Sequence, residues 1–118
     1  MLLHDSFKQT DYHHVHPDLF AVIKELTLLD FSRRRDGAYQ IFSFSFLYKQ
    51  KEYRMDHHFL YGGNGVRHWF RFSPFTRLFP WISKNPLGLS HKELVTLSGE
   101  LMKAVNAWTQ HQTEGSSI

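Results

Sequence analysis

The chain has 118 residues, 42 % of them hydrophobic and 16 % aromatic, including eleven Phe and nine His. That length and composition suit a single packed domain over residues 1–118 and exclude a disordered chain. A formal charge of +3 with His neutral permits an acidic partner without demanding one, and the lack of Cys excludes disulfides, thiolate catalysis and Cys-containing zinc sites.

The first residues, Met1-Leu2-Leu3-His4-Asp5, carry no basic leader, and no stretch approaches the ~20 apolar residues of a membrane span. A cytoplasmic protein with no membrane association is the expectation. Residues 1–16 are polar with scattered apolar positions and read as an irregular arm. A helix begins at Pro17, whose fixed φ and missing N–H suit a first helical position, with Asp18 complementing the dipole. The 3-and-4 spacing of Leu19, Phe20, Ile23, Leu26 and Leu29 predicts that this helix runs over about 17–30. The basic run Arg33-Arg34-Arg35 and the turn signal Asp36-Gly37 follow.

Three strands in a row, about 38–73, come next. Phe42, Phe44, Phe46 and Tyr48 alternate along the first. Tyr53, Met55, His57, Phe59 and Tyr61 alternate along the second, and Val66, His68, Phe70 and Phe72 along the third. A period of two places each set on one face, so the meander has one aromatic side that needs a cover. A turn at Gln50-Lys51 pairs Tyr48 with Tyr53, Phe46 with Met55, Phe44 with His57 and Phe42 with Phe59. The Gly62–Gly65 turn pairs Phe59 with His68, His57 with Phe70 and Met55 with Phe72. The opposite face then holds Ile41, Ser43, Ser45, Leu47, Arg54, Asp56, His58, Leu60, Arg67, Trp69 and Arg71, with Asp56 beside Arg71 and Ser45.

The connector from 74 to 89 is rich in Pro yet carries Phe75, Phe79 and Trp81, with Arg77 among them. Ser90-His91-Lys92-Glu93 is a capping box that opens a helix over about 90–110 with Leu94, Leu97, Leu101, Val105 and Trp108 on one face. Residues 113–118 form a polar tail. The predicted class is α+β: a three-stranded antiparallel meander with an N-terminal and a C-terminal helix packed on its aromatic face. So small a sheet also suits a homodimer.

No motif fixes a chemistry. His13, His14 and His16 cluster before the first helix, and His57, His58 and His68 lie in the sheet, but no His-Glu-x-x-His spacing occurs. No metal site and no cofactor is predicted. Ser, His and Asp on the polar face invite a hydrolase reading, yet serines on flat strands lack a strained elbow and an oxyanion hole. The glycine turn joins two strands and has no Lys-Ser/Thr ending, so it is a hairpin and not a phosphate loop.

Three functional expectations remain. The first is a non-enzymatic, intracellular protein that binds another protein through Arg54, Asp56, His58, Arg67, Trp69, Arg71, Phe75, Arg77, Phe79 and Trp81. These include the aromatic and Arg types that dominate interface energetics. The second is a nucleic-acid-binding module using Arg33, Arg34, Arg35, Arg67, Trp69 and Arg71. The third is a His-dependent metal- or ligand-binding enzyme with a pocket near His57 and His68. The helix–meander–helix order resembles that of many small bacterial or phage inhibitors, immunity proteins, chaperones and regulators, a shape that serves many functions.

Overall fold

Phe44 on one strand and Met55 on the next face each other with no exposed surface at all, and the fold is built outward from that pair. A computed structural model describes residues 2–63, 65–73 and 85–116 of the chain. In order, the elements are α1 (Leu3–Gln9), α2 (Pro17–Glu25), β1 (Leu26–Asp36), β2 (Tyr39–Tyr48), β3 (Lys51–Gly62), β4 (Gly65–Ser73) and α3 (His91–Ser116). The strands form one antiparallel sheet in the order β1-β2-β3-β4.

The expected α+β architecture is present, with one strand more than the pattern suggested. The N-terminal helix stops at Glu25 and not near residue 30, and Leu26 turns to extended backbone (φ −85°, ψ 142°). Leu26 fits both the helical stripe and a strand, but Leu26 and Leu28 are buried while Leu29 is exposed. That is strand alternation, and it places Leu26 opposite Tyr48 and Leu28 opposite Phe46. Pairing with the apolar edge of β2 therefore wins over one more helical turn. A bulge at Leu29 shifts the phase, so that Phe31 returns to the inner face opposite Phe44.

Two further corrections concern the N-terminal arm and the first hairpin. The arm is not irregular throughout: α1 buries Leu3, Ser6 and Phe7, and Phe7 packs on Tyr12. The Tyr12 hydroxyl donates to the Phe7 carbonyl at 2.9 Å, and burial pushes its pKa up to about 12. His14 and Lys103 both reach Oε1 of the buried Glu100 (2.8 and 3.1 Å), which ties the arm to α3. In the hairpin, the turn falls on Lys49-Gln50, so Tyr48 faces Lys51, Phe46 faces Tyr53, Phe44 faces Met55 and Phe42 faces His57. Each partner is displaced by two residues from the expected register, and two residues is one full strand period, so the faces are unchanged. The β3–β4 register is as expected, with Met55 opposite Phe72, His57 opposite Phe70 and Phe59 opposite His68.

Leu19, Val22 and Ile23 of α2 join Leu94, Leu97, Leu101, Ala104 and Val105 of α3 over the inner face, in one core with Leu3, Phe7, Phe44, Phe46 and Met55. The capping box that starts α3 is complete. The Glu93 N–H donates to Ser90 Oγ at 3.2 Å and the Ser90 N–H to Glu93 Oε1 at 3.3 Å. The helix extends past the predicted end near 110, to Ser116. Just before it, Asn85 Oδ1 accepts from the Leu87 and Leu89 N–H groups, which presses both leucines into the core.

The β2–β3 turn holds Lys49 (φ 51°) and Gln50 (φ 67°) in left-handed backbone. Positive φ at both central residues is what a type I′ turn requires and what Asn-Gly supplies with least strain. Replacing Lys49 by Asn and Gln50 by Gly together is expected to stabilise the protein by about 1 kcal/mol. Urea denaturation measures this as a higher midpoint at unchanged slope.

Candidate functional site

The sheet has two chemically different faces, and each gathers groups far apart in the chain. The inner face ends, beyond the helix-covered core, in a line of polar groups among aromatics. His57 is 6 % exposed. Its Nδ1 lies 2.7 Å from the hydroxyl oxygen of Ser98 on α3, and its Nε2 lies 2.8 Å from Nδ1 of His68 on β4. The ring is stacked on Phe70 at 4.5 Å and 16°. A neutral arrangement satisfies the row: Ser98 donates to His57 Nδ1, and His57 Nε2–H donates to His68 Nδ1.

Charging the row is unfavourable. Burial, then His68, His58 and His91, push the His57 pKa down to about 4. Burial and His91 also hold His68 below its ordinary value. Once both rings are protonated, every ring nitrogen carries a proton and the 2.8 Å contact has no acceptor. Ser98 is buried, so this row is a device of stability and not an accessible nucleophile.

The outer face carries no helix on the described residues. At its middle lies Asp56, only 2 % exposed. Ser43 on β2 is its cross-strand partner and donates its hydroxyl proton to Asp56 Oδ1 at 2.6 Å. The expected neighbour, Ser45, instead faces Arg54, because of the shifted turn. Arg54 Nε reaches Asp56 Oδ1 at 3.2 Å, and an Arg34 nitrogen approaches Oδ2 at 3.8 Å. Arg71 is the β4 partner of Asp56. The carboxylate is thus buried beneath arginine side chains, both of whose named guanidinium groups remain about half exposed.

Beside this cluster, His58 stacks on Trp69 (5.2 Å, 13°) and Tyr39 meets the Trp69 ring edge-on (4.8 Å, 83°). Trp69 and Tyr39 are each 38 % exposed. Burial lowers the His58 pKa, Asp56 opposes that shift, and Arg34 and Arg71 add to it. The face is mixed in charge: Arg34, Arg54, Arg67 and Arg71 stand among Asp30, Asp36, Glu52 and Asp56.

Of the protein-binding residues expected from the sequence, Arg54, Asp56, His58, Arg67, Trp69 and Arg71 all lie on this face. Phe75, Arg77, Phe79 and Trp81 lie outside the described residues. The arginine run is divided by its strand. Arg34 joins the outer face opposite Ile41, while Arg33 pairs with Phe42 and sits over that ring on the inner side at 5.3 Å. Arg35 follows in the inner phase. Sequence alternation already sets Ser43 on this face with Asp56 and Trp69, although beside His58 and not Asp56. It does not bring in Arg34 or Tyr39: Arg34 lies on β1, whose alternation overlaps with helical spacing, and Tyr39 continues the β2 alternation of Ile41 and Ser43 by one more step. Ser43 donates its one hydroxyl proton to Asp56, and among the described residues no histidine is hydrogen-bonded to it as a base would be.

Compared with protein-family models, curated proteins and solved structures, the chain matches none. Among the described residues, no helix is long and apolar enough to cross a membrane.

Acid should loosen the inner row in a defined window. His57 takes up its proton near pH 6.5 when unfolded and near pH 4 when folded. Between these values the unfolded chain binds more protons, so stability is full above about pH 6.5 and falls as pH drops towards 4. The loss from this group is expected to reach roughly 3 kcal/mol. Urea titrations from pH 7 to pH 4 measure it, and His57→Phe is expected to flatten that limb.

Proposed function

We propose that this is a non-catalytic protein working inside the cell, and that its open sheet face binds another protein. The observation that carries this reading is Asp56. A carboxylate buried on a face that no described helix covers, held by Ser43, fixes Arg34 and Arg54 beside the Tyr39–Trp69–His58 stack. Ordering arginines in advance lowers the entropy lost when a partner docks. Aromatic and Arg side chains at the centre of a patch, with paired charges around them, are the composition of interface hot spots. The mixed charge of the face suits a partner that is itself polar and mixed in sign more than one that is uniformly anionic. Inhibitor, immunity, chaperone and regulatory roles all employ such a face, and a second copy of the chain is one partner it would accept.

A second reading rests on a separate observation: Arg34, Arg67, Trp69 and Arg71 share one face, where a single strand of nucleic acid would find guanidinium groups beside a stacking ring. The separation of Arg33 and Arg35 onto the inner side, and the acidic residues among the remaining arginines, weigh against it.

Co-purification from its own host with and without one substitution separates these readings. Trp69→Ala is expected to leave the circular-dichroism spectrum intact and to lower affinity for a co-purifying protein by about 30-fold, the scale of a 2 kcal/mol hot spot. Lys49→Ala, on the distant turn, is expected to have no effect. Binding of a single-stranded oligonucleotide that weakens steeply with salt, without any protein partner, would favour the second reading. Sedimentation at two protein concentrations identifies self-association.

A further inference from the structure

The starts of α2 and α3 bring three metal-ligating side chains together. His16 is the cap of α2, Asp18 lies in its first turn, and Glu93 lies in the first turn of α3. One donor atom from each of the three falls within 4.8 Å of the other two. Glu93 uses Oε1 for the capping box with Ser90, while its Oε2 is buried and has no hydrogen-bond partner among the described residues. A buried carboxylate oxygen without a donor is unfavourable, and such an orphan calls for an explanation. A cation at this point supplies one.

We propose that His16, Asp18 and Glu93 form a site for one divalent transition-metal ion of the zinc class. An imidazole with two carboxylates is a borderline donor set that suits such ions, and three protein ligands leave a fourth position open to water. Zinc–ligand distances of about 2.0–2.2 Å in tetrahedral geometry put donor atoms roughly 3.4 Å apart. His16 Nδ1 already lies 3.7 Å from Asp18 Oδ2, and both side chains are mostly exposed, so small rotations close the remaining gap.

Two effects oppose the ion. His16 Nδ1 accepts the Asp18 N–H at 3.2 Å, a long bond that coordination at that nitrogen would replace. The two helix N-termini also present partial positive charge, about half a charge each. Two carboxylates exceed that sum, which leaves the site net negative. The bound ion would join residues distant in sequence and pin the first turns of α2 and α3 together, so it would raise thermal stability rather than perform chemistry.

The test uses the untagged full-length chain titrated with zinc chloride, followed by native mass spectrometry, calorimetry and thermal melting. One ion per chain with micromolar affinity and a raised Tm is expected. Glu93→Gln keeps the capping box, since Gln serves at that position too, and is expected to weaken zinc binding at least about tenfold. His13→Ala combined with His14→Ala removes the neighbouring histidines and is expected to leave binding unchanged. Cobalt substitution adds an independent readout, with visible absorption bands of a low-coordinate site in the wild type and their loss in Glu93→Gln. The proposal is overturned if the wild type binds no ion in saturable fashion. It is equally overturned if Glu93→Gln binds as well as wild type, or if affinity disappears with His13 and His14.

Discussion

The pairing of β2 with β3 is the constraint on which everything else depends. It aligns Phe42, Phe44, Phe46 and Tyr48 with Tyr53, Met55 and His57 on one side. Such a face exposed to water would be strongly unfavourable, at ~25 cal/mol for each Å² left uncovered. Each other element answers that demand in part. The strand β1 lines up Leu26, Leu28 and Phe31 beside β2, and β4 adds Phe70 and Phe72 beside β3. The helices close the middle with Leu19, Ile23, Leu97 and Leu101. The other side of the same sheet inherits whatever alternates with these residues, and that is where Ser43, Asp56 and the arginines gather.

Polar groups on the two faces follow opposite logic. On the inner side, His57 is kept neutral by burial and by neighbouring histidines, and its partners Ser98 and His68 suit an uncharged ring. On the outer side, Asp56 is buried more deeply still, yet Ser43, Arg54 and Arg34 surround it with donors. A buried carboxylate without those donors would be costly, and with them it becomes a fixed anchor for side chains that otherwise sample many rotamers. The stack of His58 on Trp69 extends this order toward the Tyr39 end of the sheet.

Strand alternation made much of this legible from residues alone. The period of two in Phe42–Tyr48 and Tyr53–Tyr61 was unambiguous, and the β3–β4 register followed from the glycine turn because few other residues tolerate its backbone. The first hairpin is less determinate: neither Lys49 nor Gln50 advertises positive φ, so sequence alone puts the turn one residue late and Ser45, not Ser43, beside Asp56. β1 was hidden because Leu19, Ile23 and Leu26 satisfy a helical stripe, and only the presence of an uncovered β2 edge decides that Leu26 and Leu28 are extended. The same ambiguity kept Arg34 off the sheet face. The approach of His16 to Glu93 has no local signature at all, since it arises from how the starts of α2 and α3 meet in the fold.

The bulge at Leu29 and the three arginines that follow it bear on how the molecule behaves in a crowded solution. β1 is one of the two edge strands of the sheet, the other being β4, and its far side presents backbone N–H and C=O groups that a neighbouring sheet edge would otherwise recruit. Leu29 twists that edge where it is most apolar, and Arg33, Arg34 and Arg35 place consecutive positive charges along the remainder. Two such edges meeting antiparallel would bring like charges into register, while the bulge denies them a continuous ladder. For a chain this rich in phenylalanine, the charge run that reads at first as a ligand site thus disfavours sheet-to-sheet pairing along the β1 edge.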